Sequence, residues 1–381
     1  MSLGRRSDIL GPLMLLMLFG GLSQLSSAQA SSGEQSWTTT SQLTDPGGTV
    51  NPTRSTTTHS EVDGRIVEKT VLEALGPDGR YVPYSEIEKE SVRVNDTTVR
   101  NIERSYGRTP DGQRNLTQET REESRSLPGG EKKVTRTTSN PDGNGGLQVV
   151  QRALVDSKQV SPGVRETTTT LFSADGSGGL AATVEIQERE RQRDANTVEF
   201  SKSTSLSDGV GHWNVSEVRE GVSRKDEGGG ITKEESVARP DAEGKMAVME
   251  RTVSKQSATG GGERSETTET YSNNVPGQAG SEGLRLVRRE STVQRTGATG
   301  ARSTTRRVEQ KNPGDPSAGL QLTQEAIDIV RPGANGTAAQ TSTIRTSDSN
   351  GRLNTVWIDI GHTDNPATVK VDTAPTKKPN Q

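Results

Sequence analysis

Residues 164–196 read VRETTTTLFSADGSGGLAATVEIQERERQRDAN. The first eleven are β-branched and aromatic strand formers around a run of four threonines, and the next five, Asp175-Gly176-Ser177-Gly178-Gly179, are turn formers. A second strand-forming run begins at Leu180, and Asp194 to Asn196 closes the segment with another turn. Thirty-three residues therefore spell strand, turn, strand, turn.

The same spelling extends in both directions. The turn recurs as Gly76-Pro77-Asp78-Gly79, Pro110-Asp111-Gly112, Pro141-Asp142-Gly143, Ser207-Asp208-Gly209 and Pro240-Asp241, and later around Pro313-Gly314-Asp315 and Asn350-Gly351. The residues that open the following segments are Tyr81, Arg114, Leu147, Leu180, Trp213, Met246, Leu284, Leu320 and Leu353, spaced 33, 33, 33, 33, 33, 38, 36 and 33. Five equal intervals in succession mark an internal repeat, and the longer ones coincide with extra Gly, Pro and Ser. A second turn family lies halfway between the first, at Asp63-Gly64, Asn95-Asp96, Gly129-Gly130, Pro162-Gly163 and onwards. Such pairs supply the positive φ angles of two-residue hairpin loops.

Segments of 10 to 13 residues predict strands roughly 35 to 40 Å long. Leu320 to Val330 also fits a helix face, but it occupies the phase of Leu147 to Val155 and is assigned as strand. Charged and Thr residues fall in both phases of the alternation, so no sandwich face is spelled out. The apolar residues gather after the first turns, in a narrow stripe. The expected fold is all-β: a repetitive antiparallel meander of long hairpins forming an extended or coiled single-layer sheet. A β-solenoid is the alternative. Disorder is a third reading, since Leu, Ile, Val and Phe are scarce.

Residues 1–30 have the parts of a signal peptide: Arg5 and Arg6, an apolar stretch from Ile9 to Leu22, and Ala28-Gln29-Ala30. Residues 31–37 and 363–381 are expected to be disordered flanks of a repeat array over 38–362. The expected compartment is secreted or extracytoplasmic, with no transmembrane segment after cleavage. The chain has no Cys, which removes disulfides, thiolate metal sites and cysteine nucleophiles together. With Lys+Arg 47 against Asp+Glu 50, it has no basic excess to attract nucleic acid.

His59, His212 and His362 lie in different repeats without metal-ligand spacing, and the Gly-rich runs lack the Lys-Ser/Thr of a phosphate loop. Neither catalytic nor cofactor-binding residues are expected, and an enzyme is not. Asn140, Asp142, Asn144, Asp348 and Asn350 place oxygens at alternate turn positions, the arrangement Ca²⁺ uses, though a tight turn requires the same residues. The expected function is a non-enzymatic secreted or cell-envelope structural or adhesive repeat protein of unknown partner. The alternatives are a Ca- or glycan-binding module and a matrix component that self-associates through its sheet edges.

Overall fold

The computed structural model describes residues 34–44, 49–109, 111–259, 262–273, 283–312, 315–334, 337–348, 351–363 and 367–369. The signal-like segment lies outside these, as do residues 31–33 of the first expected flank and 364–366 and 370–381 of the second, whereas residues 34–37 and 367–369 of those flanks lie in strands. The chain runs through β1 (Glu34–Thr44), β2 (Val50–Val62), β3 (Arg65–Leu75), β4 (Tyr81–Asn95), β5 (Thr98–Arg108), β6 (Arg114–Ser126) and β7 (Lys132–Pro141). It continues through β8 (Leu147–Ser161), β9 (Val164–Ala174), β10 (Leu180–Gln192), β11 (Thr197–Ser207), β12 (Trp213–Lys225), β13 (Ile231–Pro240) and β14 (Met246–Thr259). The last strands are β15 (Glu263–Ser272), β16 (Arg285–Thr296), β17 (Arg302–Asn312), β18 (Asp315–Pro332), β19 (Ala338–Ser347), β20 (Leu353–Thr363) and β21 (Ala367–Val369). The segment with helical periodicity is thus strand β18.

The two turn families form the two rims of the sheet. At one rim Val62 pairs with Arg65 around Asp63 (φ 50°) and Gly64 (φ 74°), the two positive angles that this hairpin turn demands. At the other rim the loops are longer. Asp142 follows Pro141, which pairs with Leu147, and its carboxylate accepts the amides of Asn144 (2.8 Å) and Gly146 (2.9 Å). Asp175, Asp208 and Asp241 each do the same for the amides two and four residues on.

Three residues beyond Tyr81, Arg114, Leu147, Leu180, Trp213, Met246, Leu284, Leu320 and Leu353, on the strands that leave this rim, the register slips. The residues left unpaired are Tyr84, Thr117, Val150, Thr183, Ser216, Met249, Val287, Thr323 and Val356. The 33-residue period is therefore the period of a β-bulge. Four of these positions carry a hydroxyl that donates to a carbonyl on the neighbouring strand: Thr117 to Ser105 (2.9 Å), Thr183 to Leu171 (3.3 Å), Ser216 to Thr204 (3.1 Å) and Thr323 to Val308 (3.0 Å). A bulge bends and twists its strand. Placed at the same height in successive hairpins, it curves the sheet in one direction until its ends meet.

They meet at β20 and β1, where Thr39 pairs with Thr363, Ser41 with Gly361 and Thr44 with Ile358. The short β21 continues the ladder along the start of β1. Followed from strand to strand, the register returns to β1 displaced by about 22 residues, which for a 20-stranded ring gives a tilt of about 37° and a diameter of about 38 Å. Every extensive contact between described strands is between hydrogen-bonded neighbours. The molecule is a closed, hollow barrel.

This corrects the expected architecture in one respect. The all-β, antiparallel, single-layered hairpin meander is present, but it is neither an open or extended sheet nor a solenoid, because the recurrent bulge supplies curvature that a count of turns does not reveal. The apolar stripe is not a core either: Leu147 and Met246 are 40% and 42% exposed, and Val164, Val237 and Val308 are the buried hydrophobic residues among those described.

Directly opposed residues of antiparallel strands share a face, so both faces can be traced around the ring. Right-handed coiling of the strands, with the direction in which the register climbs, places Thr57, Ile87, Glu122, Val155, Phe200, Val237 and Val308 on the inner face. Arg54, Glu86, Glu119, Leu154, Glu269 and Ile360 stand on the outer face. Buried residues occur on both faces, Val237 (2% exposed) on the inner and Glu119 (4%) on the outer. Both faces are laced by ion pairs. On the outer wall Glu86 is fully buried by Arg114 (2.7 Å), Lys69 (2.9 Å) and Arg108 (3.3 Å), and Arg114 stacks 3.5 Å over the Tyr106 ring. Glu119 lies between Arg121 (2.6 Å) and Arg104 (2.7 Å). Burial alone opposes its ionisation, but the two guanidinium groups outweigh it and hold the carboxyl below its ordinary value of 4.5.

Two outcomes are expected. The chain has no Cys, so Ser41→Cys combined with Gly361→Cys should form one intramolecular disulfide on mild oxidation, read by gel shift under denaturing conditions; an open meander holds these residues at opposite ends. A new Cβ at Gly361 meets nothing closer than 3.6 Å. Carboxyl pKa values lowered by folding, as at Glu119, Glu217 and Glu269, contribute stability that is present above the unfolded value of 4.5 and is lost as pH falls from there through the lowered folded value. The melting temperature should therefore be flat near neutrality and drop below about pH 4.5.

Candidate functional site

Gly221 sits in the middle of β12, far from any turn, directly opposite Phe200 of β11. A Cβ at this position would lie 2.3 Å from the Phe200 ring and 2.3 Å from the Glu234 carbonyl oxygen. The ring therefore lies across bare backbone on the inner wall. Lys233 of β13 places its ammonium 4.7 Å from the ring centroid.

A chain of charges surrounds this ring. Lys233 pairs with Glu235 (3.1 Å), Glu235 with Arg219 (2.9 Å), Arg219 with Glu217 (2.6 Å), and Glu217 with Arg239 (2.8 Å). Lys202 pairs with Glu188 at 3.0 Å. Together with Arg165, Ile186 and Thr204, all of these but Arg239 line a concavity of about 620 Å³ on the inner wall. Burial pushes the Glu217 and Glu235 carboxyls up, yet Arg219 with Arg239 for the first, and Lys233 with Arg219 for the second, hold both below the ordinary range. The Arg219 guanidinium is in turn held above its ordinary range by Glu217 and Glu235, against burial. Carboxyls held ionised in this way have no proton to donate near neutral pH, so the cluster is unsuited to general acid catalysis. It can hydrogen-bond a polar solute and offer one apolar ring.

The sequence singled out other residues. Asn140 lies near the end of β7, where it accepts from Gln118 Nε2 at 3.4 Å, and Asp142 and Asn144 lie in the loop that follows, where the Asp142 carboxylate accepts backbone amides. Asp348 lies in a different loop, taking the Arg352 amide (2.9 Å) and Asn354 Nδ2 (3.1 Å); Asn350 is outside the described residues. Among the described residues no three His, Cys, Asp or Glu side chains are grouped to hold a metal ion. His59 faces the lumen opposite Glu68, His212 Nδ1 lies 2.8 Å from Asp208 Oδ2 in a rim loop, and His362 is on the outer face. The inner-wall cluster escaped sequence reading because its charges look like any others. Its one signal was Gly221, a glycine where no turn needs one.

No family model matches the chain, and no curated protein matches it. Among solved structures the chain is similar to the siderophore receptor PirA from Pseudomonas aeruginosa, with 9% identity, a TM-score of 0.49, and coverage of 88% of this chain and 81% of that one. It is also similar to OccK11 (OpdR) from Pseudomonas aeruginosa, with 10% identity, a TM-score of 0.42, and coverage of 88% and 96%. A mutant porin of Rh. blastica gives 8% identity and a TM-score of 0.32 over 87% of this chain and 98% of that one. Likeness at this level carries no functional assignment.

The expected structural or adhesive array, Ca- or glycan-binding module and edge-assembling matrix component are all corrected. The molecule's own geometry is what overturns them. β20 is hydrogen-bonded to β1, so the ladder leaves no extended edge for matrix assembly. The turn carboxylates proposed as ligands already accept their own loop amides.

Gly221→Ala is expected to cost about 1–3 kcal/mol, because both ring and backbone must shift. Combining it with Phe200→Ala should recover part of that cost and leave the part owed to the Glu234 carbonyl. Denaturant unfolding of the two single variants and the double checks this coupling.

Proposed function

We propose that the protein is a non-enzymatic, water-filled conduit of the extracytoplasmic space, whose lumen admits hydrophilic solutes. The observation that carries this reading is the closed ring: a wall about 38 Å across with side chains on its inner face leaves a bore of about 25 Å. Among the described residues the bore is lined mainly by Thr, Ser and paired charges, with residues such as Ile87, Val155 and Phe200 scattered between them, so water and small polar solutes meet no continuous apolar barrier there. The signal-like start of the sequence supports export.

The outer face decides what surrounds the tube. No described helix is long and apolar enough to cross a membrane, a test that does not reach strands, so the strands must be judged by their faces. A lipid-facing barrel needs an outward apolar band about 25 Å tall. Here Arg54, Lys69, Glu86, Arg104, Glu119, Arg152, Glu185, Arg251, Arg289 and Glu325 stand on the outer face along the wall. The tube therefore stands in water.

A Cys-free chain makes the test direct. Thr252→Cys places a thiol on the inner face and Leu154→Cys one on the outer. A small maleimide should label both, whereas a maleimide on a polyethylene glycol chain wider than the bore should label Leu154→Cys at least about tenfold faster. Equal labelling by the large reagent, or no labelling of Thr252→Cys by the small one, would remove the open lumen. Flotation with vesicles should leave the protein in solution, and insertion would overturn the water-facing outer wall.

A further inference from the structure

Among the described side chains, two adjacent strands without outward charge occur at one place on the wall, the seam. Ile329 on β18, Thr341 on β19, Ile360 on β20 and Gln42 on β1 stand directly opposite one another in a row. Ile327, Thr343 and Ile358 form the neighbouring row. Among the described side chains, β20 and β1 present no Asp, Glu, Lys or Arg outward. Elsewhere the strands that leave the Asp-loop rim carry a charge in mid-wall, as at Glu86, Glu119, Arg152, Glu220 and Arg289. Ile360 is 55% exposed. Towards that rim the patch is flanked by ion pairs, Arg307 with Glu325 (3.0 Å) and Arg345 with Glu325 (3.3 Å) on one side and Arg54 with Glu73 on the other.

We propose that this patch is where a second copy of the chain docks, side by side, as an isologous dimer. The dimensions fit. The full height of β20 and β1, with two rows of β18 and β19, gives an uncharged footprint of about 500 Å², which the ion pairs on its flanks extend towards the roughly 800 Å² per partner of a standard interface. Two convex walls of this radius touch over about 20 Å, the width of three to four strands, so a patch of this width is what a second barrel can cover. Lipid would meet the whole circumference, most of which is charged, and a peptide would need a groove that this convex wall lacks. A Thr/Ile centre with ion pairs on its flanks is the pattern of a protein interface.

The location adds a consequence. The β1–β20 ladder has six directly opposed pairs where β1–β2 has ten. A partner packed across it splints the one junction that no hairpin closes.

Sedimentation of the secreted chain over a concentration range tests the proposal. The expected result is a monomer–dimer equilibrium that persists in high salt, because Thr and Ile contacts are not screened. Ile360→Lys should weaken it at least about tenfold, with an unchanged circular dichroism spectrum and an intact Ser41→Cys/Gly361→Cys cross-link showing that the barrel is still closed. Leu154→Lys, an equally outward position on β8, should leave it unaltered. A monomer at every concentration, an Ile360→Lys variant that dimerises like the parent, or a patch that instead binds vesicles would each overturn it.

Discussion

Everything in this molecule hangs on the return of β20 to β1. A single-layered sheet has no second layer to bury its faces, so its stability comes from the backbone ladder and from pairs of side chains lying across it. Cross-strand pairs contribute about 0.2–1 kcal/mol each, a small amount that matters only when summed over many strands and lost cooperatively. Closure makes the sum cooperative. It gives the first and last strands a partner and leaves no long ladder edge exposed, which matters for a chain whose buried hydrophobic residues, among those described, are only Val164, Val237 and Val308. The buried carboxylates take part of the role that a core has elsewhere. Glu86 and Glu119 are shielded by the stems of the arginines that neutralise them, and Arg114 lies flat on Tyr106.

Much of this was legible before any coordinates. The 33-residue interval located the strands, both rims and the phase of each hairpin, because turn chemistry is local and Gly or Asp at a turn announces itself. Closure was not legible, and the reason is physical. Curvature depends on the bulges, and a bulge at Tyr84, Thr117 or Met249 has no residue signature in common; it is a matter of register between two strands, which no single strand spells. The scarcity of apolar residues by itself points to disorder, yet a single-layered closed wall has no second layer that would need them. The Asp-rich turns were read as possible ligands for the same reason that they make good loops: a carboxylate able to accept two converging donors serves amides or a cation equally well, and only the geometry shows that Asp142 accepts the amides.

Partial alternation was the most informative feature and the easiest to misjudge. In a lipid-spanning barrel every second residue is apolar, and an Arg or Lys at the bilayer midplane costs about 2–4 kcal/mol. Here charged residues alternate with Thr and Ser on both faces, so the pleat separates two polar surfaces. A barrel outline alone says nothing about this difference. The side chains do: those described are polar or charged on the inner face and, over most of the circumference, on the outer face as well.

The exception at the seam then has a physical meaning. Charges along a closed wall are mutually dependent: each carboxylate, such as Glu325 between Arg307 and Arg345, needs cations on the strands beside it, and within the array the hairpin connections keep those strands in register. At the β1–β20 junction no hairpin fixes the pairing, so an ion-pair lattice there would have to rely on the least constrained contact in the molecule. Thr, Ile and Gln pack across such a junction without demanding a matched partner. The same choice leaves the outer surface uncharged at that one place, so the solution to closing the ring also creates the surface on which a second ring can rest.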